Sequence, residues 1–222
     1  MNRRTRILKA VIFDFDGVVL ESAGIKERAF LRIFSAGRST RNDILSYLRS
    51  VQEKPRWIKI RHVITHILKQ SGVDARLKRL VRAYEKECYR RVLACRFVKG
   101  AERLIRRGDF LKFVCSGTPE AELRRIITHR GLASSITASF GAPRRKPDIL
   151  KIILRRWSLP RPAVLYVGDS IGDYRASLRA GVPFIGRTDP RVPDMFKDCD
   201  IPTVRDLDAL SAHLQDGPRR AA

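Results

Sequence analysis

Acidic residues are scarce in this chain. Only 23 Asp and Glu stand against 46 Lys and Arg among 222 residues, a formal net charge of +23 at pH 7. Arginine dominates the excess, so it does not titrate away near neutrality. Such a surface favours anionic partners: phosphorylated metabolites, nucleic acid or acidic lipid headgroups. No window approaches ~18 uninterrupted apolar residues, which excludes a membrane-spanning helix. Cysteine is sparse (Cys88, Cys95, Cys115 and Cys199), with no C-x-x-C pair and no secretory context. Reduced thiols in a cytoplasmic protein are therefore expected. Cys88 and Cys95, seven apart, fall on one helical face. The dipeptide Gly-Lys does not occur, which excludes a Walker phosphate loop. The basic start (Arg3, Arg4, Arg6) and the apolar run after it imitate an export signal. Lys9 breaks that run, Asp14 and Asp16 end it, and no small-residue cleavage site follows, so it reads as a strand. No internal repeat is present, and only the Gly217–Ala222 tail is of low complexity. What the chain does have is 44% hydrophobic residues, enough for one domain, or a domain with an inserted lobe, and too many for disorder.

Strand and helix patterns alternate through the second half. Ile7–Phe13, Phe110–Cys115, Val164–Val167 and Pro183–Ile185 are short β-branched runs of the kind covered on both faces, with Ile136–Phe140 a weaker one. Helical patterns fill the gaps at Gly100–Arg107, Pro119–Arg130, Pro147–Trp157, Ile171–Ala180 and Asp206–Leu214. Pro119 and Pro147 suit first turns, and Gly131 and Gly181 suit helix ends. This alternation predicts an α/β fold, a Rossmann-like parallel sheet. Residues 21–97 break it, showing only helical periodicity. The longest pattern is Asp74–Arg96, where Leu77, Leu80, Val81, Tyr84, Cys88 and Val92 recur at three- and four-residue steps. The block holds 19 Lys and Arg against 7 Asp and Glu, a net +12. It is expected to be a separate α-helical lobe inserted into a core of residues 1–20 and 98–222.

In open parallel sheets, ligands bind beyond the carboxyl ends of the strands. There the sequence places Asp14-Phe15-Asp16-Gly17, Ser116-Gly117-Thr118, Gly168-Asp169-Ser170-Ile171-Gly172-Asp173 and, before a helix, Arg144-Arg145-Lys146-Pro147. Extended geometry points Asp14 and Asp16 the same way, and Gly17 permits a turn close to a ligand. The pair could equally be solvated acids of a strand-to-helix turn. A calcium loop is excluded, since Ile12 and Ala23 stand where it requires acids. Gly168–Gly172 also matches G-x-S-x-G, the nucleophile elbow of serine hydrolases, with His213 available downstream. That esterase reading leaves Asp14, Asp16 and Lys146 without a role.

Together, DFDGV, SGTPE, KPDI and GDSIGD, in that order, resemble the four motifs of the haloacid dehalogenase superfamily. The helical block after the first motif is similar to the small helical cap of its phosphoglycolate-phosphatase-like members. The resemblance implies a cytoplasmic magnesium-dependent phosphatase acting on a small phosphorylated substrate. Asp14 would be the nucleophile forming an aspartyl-phosphate, and Asp16 the general acid and base. Asp14, Asp169 and the main-chain carbonyl of Asp16 would hold Mg2+, with Asp173 a ligand or an orienting group. Ser116, Gly117 and Lys146 would bind the phosphoryl group. The residues suit these roles. Two like charges ~4 Å apart cost roughly 4 kcal/mol at an effective dielectric of ~20, so a carboxylate attacking phosphate needs cations beside it. Magnesium prefers carboxylate and phosphate oxygens, and Lys146 adds a second positive charge. Family members that cleave carbon–halogen bonds lack an acid at the position of Asp16, which favours a phosphatase or a phosphomutase. Glu21-Ser22 departs from the more frequent Asp-Ser, and Gly117 from asparagine.

Substrate choice in this superfamily usually rests with the cap. Lys54-Pro55-Arg56-Trp57, read as a break between helices, offers Arg56 for substrate binding, with Lys26 and Lys59 as alternatives for a second negative charge. His62 and His66, four apart, could bind a metal, but no third ligand is evident. Ser116 could instead cap the next helix, and Lys146 could belong to a solvated basic run with Arg144 and Arg145. Arg-Arg pairs at 90–91, 106–107, 124–125, 144–145, 155–156 and 219–220 are spread evenly, without interleaved aromatics. That pattern suits solvated faces more than a nucleic-acid groove.

Overall fold

The structure, a computed structural model, describes residues 8–34, 37–51 and 54–216. The start of the first expected strand, the Arg3–Arg6 stretch and the 217–222 tail with its Arg pair lie outside these. The apolar run that ends in Phe13 becomes β1 (Ala10–Phe13), buried at every position. β2 (Leu111–Pro119), β3 (Ala138–Ala142), β4 (Val164–Gly168), β5 (Phe184–Arg187) and β6 (Thr203–Val204) complete one sheet in the order β3-β2-β1-β4-β5-β6. Its strands pair in parallel throughout the described residues. Ala10, Ile12, Phe113, Cys115, Val164 and Tyr166 share one packed layer with α7 (Lys146–Arg156) and α8 (Ile171–Ala180). Their alternate neighbours Val11, Phe13, Val114 and Val167 are buried as well. A sheet covered on both faces needs apolar residues at successive positions, which is why these strands read as continuous runs. Each such side chain, fully buried, stabilises by about 1.5–3 kcal/mol.

Four features differ from the expected boundaries. β2 continues through Ser116-Gly117-Thr118 to Pro119, with a register irregularity between Cys115 and Pro119. The following helix, α6 (Glu120–His129), starts after Pro119, and no side chain caps it. Ser116 is therefore not its cap. β3 lies two residues later than its weak apolar run suggests. β6, a two-residue edge pairing with β5, has no apolar run to announce it.

The chain divides into two compact units, Met1–Glu21 with Cys95–Ala222, and Ser22–Ala94. Glu21 and Phe97 group with the sheet unit because the two connecting stretches pair there: Leu20 bridges Phe97, and the Glu21 amide donates to the Arg96 carbonyl at 2.9 Å. The second unit is helical. It comprises α1 (Ala23–Phe34), α2 (Arg38–Ser50), α3 (Arg56–His62), a π-helical turn (Val63–Ile67) and α4 (Val73–Ala94). Ala29, Phe30, Ile44, Ile60, Ile64, Leu80, Tyr84 and Cys88 form its core. All four cysteines are free thiols. In the sheet unit, α5 (Ala101–Arg107) packs on α9 (Leu207–Asp216). No helix of the described residues is long and apolar enough to cross a membrane.

Candidate active site

Strand register builds the site. Phe13 lies opposite Val114 on one side and Val167 on the other, so Asp14 leaves β1 level with Cys115 inside β2 and with Gly168, the end of β4. Gly168, the last residue of β4, is necessary here: a Cβ on it would lie 2.3 Å from the Cβ of Asp173. That close approach brings the first turn of α8 against the strand end. Lys146, first residue of α7, points its Nζ to 3.1 Å from Asp14 Oδ1 and donates to Asp173 Oδ1 at 2.6 Å. Tyr166 on β4 donates its hydroxyl to the same Asp173 oxygen. Ser170 donates to the other oxygen and accepts from the Asp173 amide at 3.2 Å, capping α8. Oxygens of Asp14, Asp169 and Asp173 all lie within 4.8 Å of one another.

Burial makes this cluster costly. Three clustered carboxylates, with Asp16 nearby, face one ammonium. Burial drives the Asp14 carboxyl well above the usual range; Lys146 opposes this, while Asp173, Asp169 and Asp16 reinforce it. Burial and then Asp173 push Asp169 up to about 7. Lys146 suffers the same desolvation, but Asp14 and Asp173 outweigh it and hold the ammonium charged. Asp14 Oδ1 is ion-paired with Lys146 yet accepts no aligned hydrogen bond. Buried acids with surplus negative charge and an orphaned oxygen are what a hard divalent cation with oxygen ligands would satisfy. Asp14 and Asp169 are the better placed pair for it, because Asp173 already accepts from Lys146, Tyr166 and Ser170. The Asp16 carboxylate stands outside this triad and accepts from Thr118 Oγ1 at 3.1 Å.

The remaining candidates divide. Ser116 is fully buried, and its Oγ accepts from the Thr118 amide at 3.1 Å, bending the end of β2. Gly117 is exposed, with open space on its Cβ side. Of the basic run, Arg144 pairs with Glu120 at 2.7 Å and only Lys146 enters the acid cluster. Ser170 commits its hydroxyl to Asp173 in both directions, so the G-x-S-x-G match is a helix cap rather than a nucleophile elbow. Arg56 is not in an inter-helix break. It begins α3, lies over the Tyr84 ring at 5.6 Å and pairs with Glu85 at 3.4 Å, all within the helical unit. His62 and His66 stack at 4.4 Å, with Tyr47 stacked on His62 at 3.9 Å, an aromatic column rather than a chelate. Two residues that the sequence reading missed hold parts of this site: Tyr166, which donates to Asp173, and Arg187, which donates to the Gly17 carbonyl. A hydroxyl in the apolar strand VLYVG and a cation directly after the run FIG were the available hints.

An open parallel sheet with acids and one ammonium converging beyond its central strands defines an α/β enzyme whose site is built for an anion and a hard cation. The model of the haloacid dehalogenase-like hydrolase family matches residues 11–187, and the chain belongs to that family. A curated phosphoglycolate phosphatase of Rhodobacter capsulatus is 28% identical over 188 residues, covering 79% of this chain and 82% of the relative. Among solved structures, YfnB of Bacillus subtilis bound to magnesium aligns with a TM-score of 0.73 and 15% identity, over 94% of this chain and 99% of that one. CbbY of Rhodobacter sphaeroides in complex with phosphate aligns at 0.70 and 18%, over 94% and 100%. The structural likenesses establish the fold.

Proposed function

We propose that the protein is a magnesium-dependent phosphatase of small phosphorylated metabolites, working through an aspartyl-phosphate. The observation that carries this reading is the convergence of Asp14, Asp169 and Asp173 with Lys146 set between two of them. Asp14 Oδ1, free of aligned hydrogen bonds, is the attacking atom; it forms the new P–O bond as the substrate's P–O bond breaks. Asp16, oriented through Thr118, protonates the departing oxygen and then takes the proton of the water that hydrolyses the intermediate. Lys146 balances phosphoryl charge and is held in place by Asp173. Ser116 and Gly117 offer hydrogen bonds at the end of β2. Magnesium, held by Asp14, Asp169 and the Asp16 carbonyl, would supply the positive charge that lets a carboxylate meet a phosphate dianion.

The helical unit, proposed as the cap, supplies substrate selectivity. Burial and the neighbouring Lys26 both lower the Lys59 ammonium, so two cations share a half-buried place there. With Arg56 on the same unit, this supports a substrate bearing a second negative group. A phosphoglycolate-like acid, a sugar phosphate or a nucleotide fits, the first matching what the Rhodobacter capsulatus relative is named for. The test is a panel of such phosphates assayed for phosphate release with and without Mg2+. Magnesium-dependent release, strongest for a doubly anionic substrate, is expected. Release that ignores EDTA would overturn the mechanism, and phosphoryl transfer from a bisphosphate without release would mark a phosphomutase.

A further inference from the structure

Arg187 is nearly fully buried, at 5% exposure, at the carboxyl end of β5. A buried guanidinium is expensive unless its donors are matched, and these are. Nε donates to the Arg205 carbonyl at 3.1 Å, Nη1 to the Gly17 carbonyl at 3.1 Å and Nη2 to Glu21 Oε1 at 2.9 Å. Asp189 lies 3.8 Å from Nη1. Because β4 stands between β1 and β5, the side chain reaches past the end of β4 to grip the segment that follows β1. It holds that segment at two points four residues apart. Between them the chain folds on itself: Gly17 N donates to Leu20 O at 2.8 Å, and the amides of Val19 and Leu20 donate to Phe15 O at 3.0 and 3.1 Å. Gly17 has φ +79°, a conformation a side chain would strain. Asp16 immediately precedes the gripped carbonyl.

We infer that Arg187, with Glu21, is a positioning residue for the proton-transfer loop. It fixes the backbone behind Asp16 while Thr118 fixes the carboxylate, so that the acid meets the departing oxygen. Three separate nitrogens at fixed spacing serve the Arg205 carbonyl, the Gly17 carbonyl and Glu21 together; a lysine has one nitrogen and cannot span all three. This rests on the proposed role of Asp16, and the experiment separates the two. General acid help matters for alkyl phosphates, whose leaving alkoxides are poor, and little for p-nitrophenyl phosphate. The quantity to compare is kcat/KM, which excludes the later hydrolysis of the phosphoenzyme. Asp16→Asn is the reference, expected to lose on the order of 10²-fold or more with an alkyl phosphate, and far less with p-nitrophenyl phosphate. Arg187→Met should show the same split, about 10–100-fold against less than about 3-fold, with Arg187→Lys failing to restore it. Glu21→Gln should show a milder split. Should Asp16→Asn lose both substrates equally, the acid role falls and this inference with it. If Asp16→Asn splits them while Arg187→Met lowers both equally, Arg187 is only a structural staple. Far-UV circular dichroism checks folding; if Arg187→Met does not fold, Glu21→Gln decides, and an equal loss with both substrates overturns the inference.

Discussion

The two units handle charge in opposite ways. Among the described residues, the charged residues that are buried (Asp14, Asp173, Arg187 and Asp206) all belong to the sheet unit. The helical unit is also packed around an apolar core, yet none of its described charged side chains is buried; the most covered, such as Arg56 and Glu87, keep part of their surface in water. Arg61 pairs with Asp74 at 2.8 Å while 45% and 82% exposed, and Arg32 reaches Glu87 from an open position. Burying a charge demands partners fixed to a fraction of an ångström. Parallel strands in register supply that precision, because Asp14 and the end of β4 emerge at one level beside Cys115 of β2. Helices packing by their apolar stripes do not need it. The sheet unit thus holds a buried, paired charge cluster, and the helical unit an apolar core under a basic surface.

The sharpest way to break this contrast is Asp14→Asn. It should cost on the order of 10³-fold or more in phosphate release, about 4 kcal/mol, while melting stays cooperative. Release at the wild-type rate would show that the buried acids are not the reacting groups. In the helical unit the largest effect should come from packing instead. Ile60, fully buried, should cost about 2–5 kcal/mol as alanine, read from denaturant midpoints.

The pH response sharpens the comparison further. Asp169 ionises near 7 in the folded chain and near 3.8 when unfolded. Between those values the folded chain binds more protons, so metal-free stability falls as pH rises through the window and levels off above it. Asp14 is shifted the same way. A drop of roughly a few degrees in Tm is expected between pH 5 and 7.5. Asp169→Asn should reduce it, leaving the part due to Asp14, and magnesium, which favours the ionised acids, should stabilise more at pH 8 than at pH 5. A metal-free Tm that rises over this range would refute the buried-charge account. Smallest of all should be Arg61→Ala, within about 0.5 kcal/mol by thermal melts, as exposed pairs are; a larger loss would place structural charge in the helical unit too.

Much of this was legible in one dimension. β1, β2 and β4 announce themselves as β-branched runs, and Asp14, Asp16, Ser116 and Asp169 could be picked out because each follows such a run. By charge alone Lys146 was one cation among three, and only the resemblance of KPDI to a family motif singled it out. Its neighbours Arg144 and Arg145 have the same charge, and in the structure the start of α7 and the position of Asp173 choose between them. The placement of Arg56 in a break misled because Pro55 marks a helix start as readily as a break. Tyr166 and Arg187 were hidden, since their partners are distant in sequence or on another kind of element: Asp173 on α8, and Gly17 and Glu21 in the segment after β1. Arg187 and the Gly17 carbonyl are 170 residues apart.

From sequence alone the chain's periodicities and motifs determined the fold class, the helical insertion and the set of acids, because these express themselves within a few residues of backbone. Tertiary structure decided which cation meets which acid and which arginine grips which loop. Those contacts depend on sheet order and register, quantities that exist only once distant strands lie side by side.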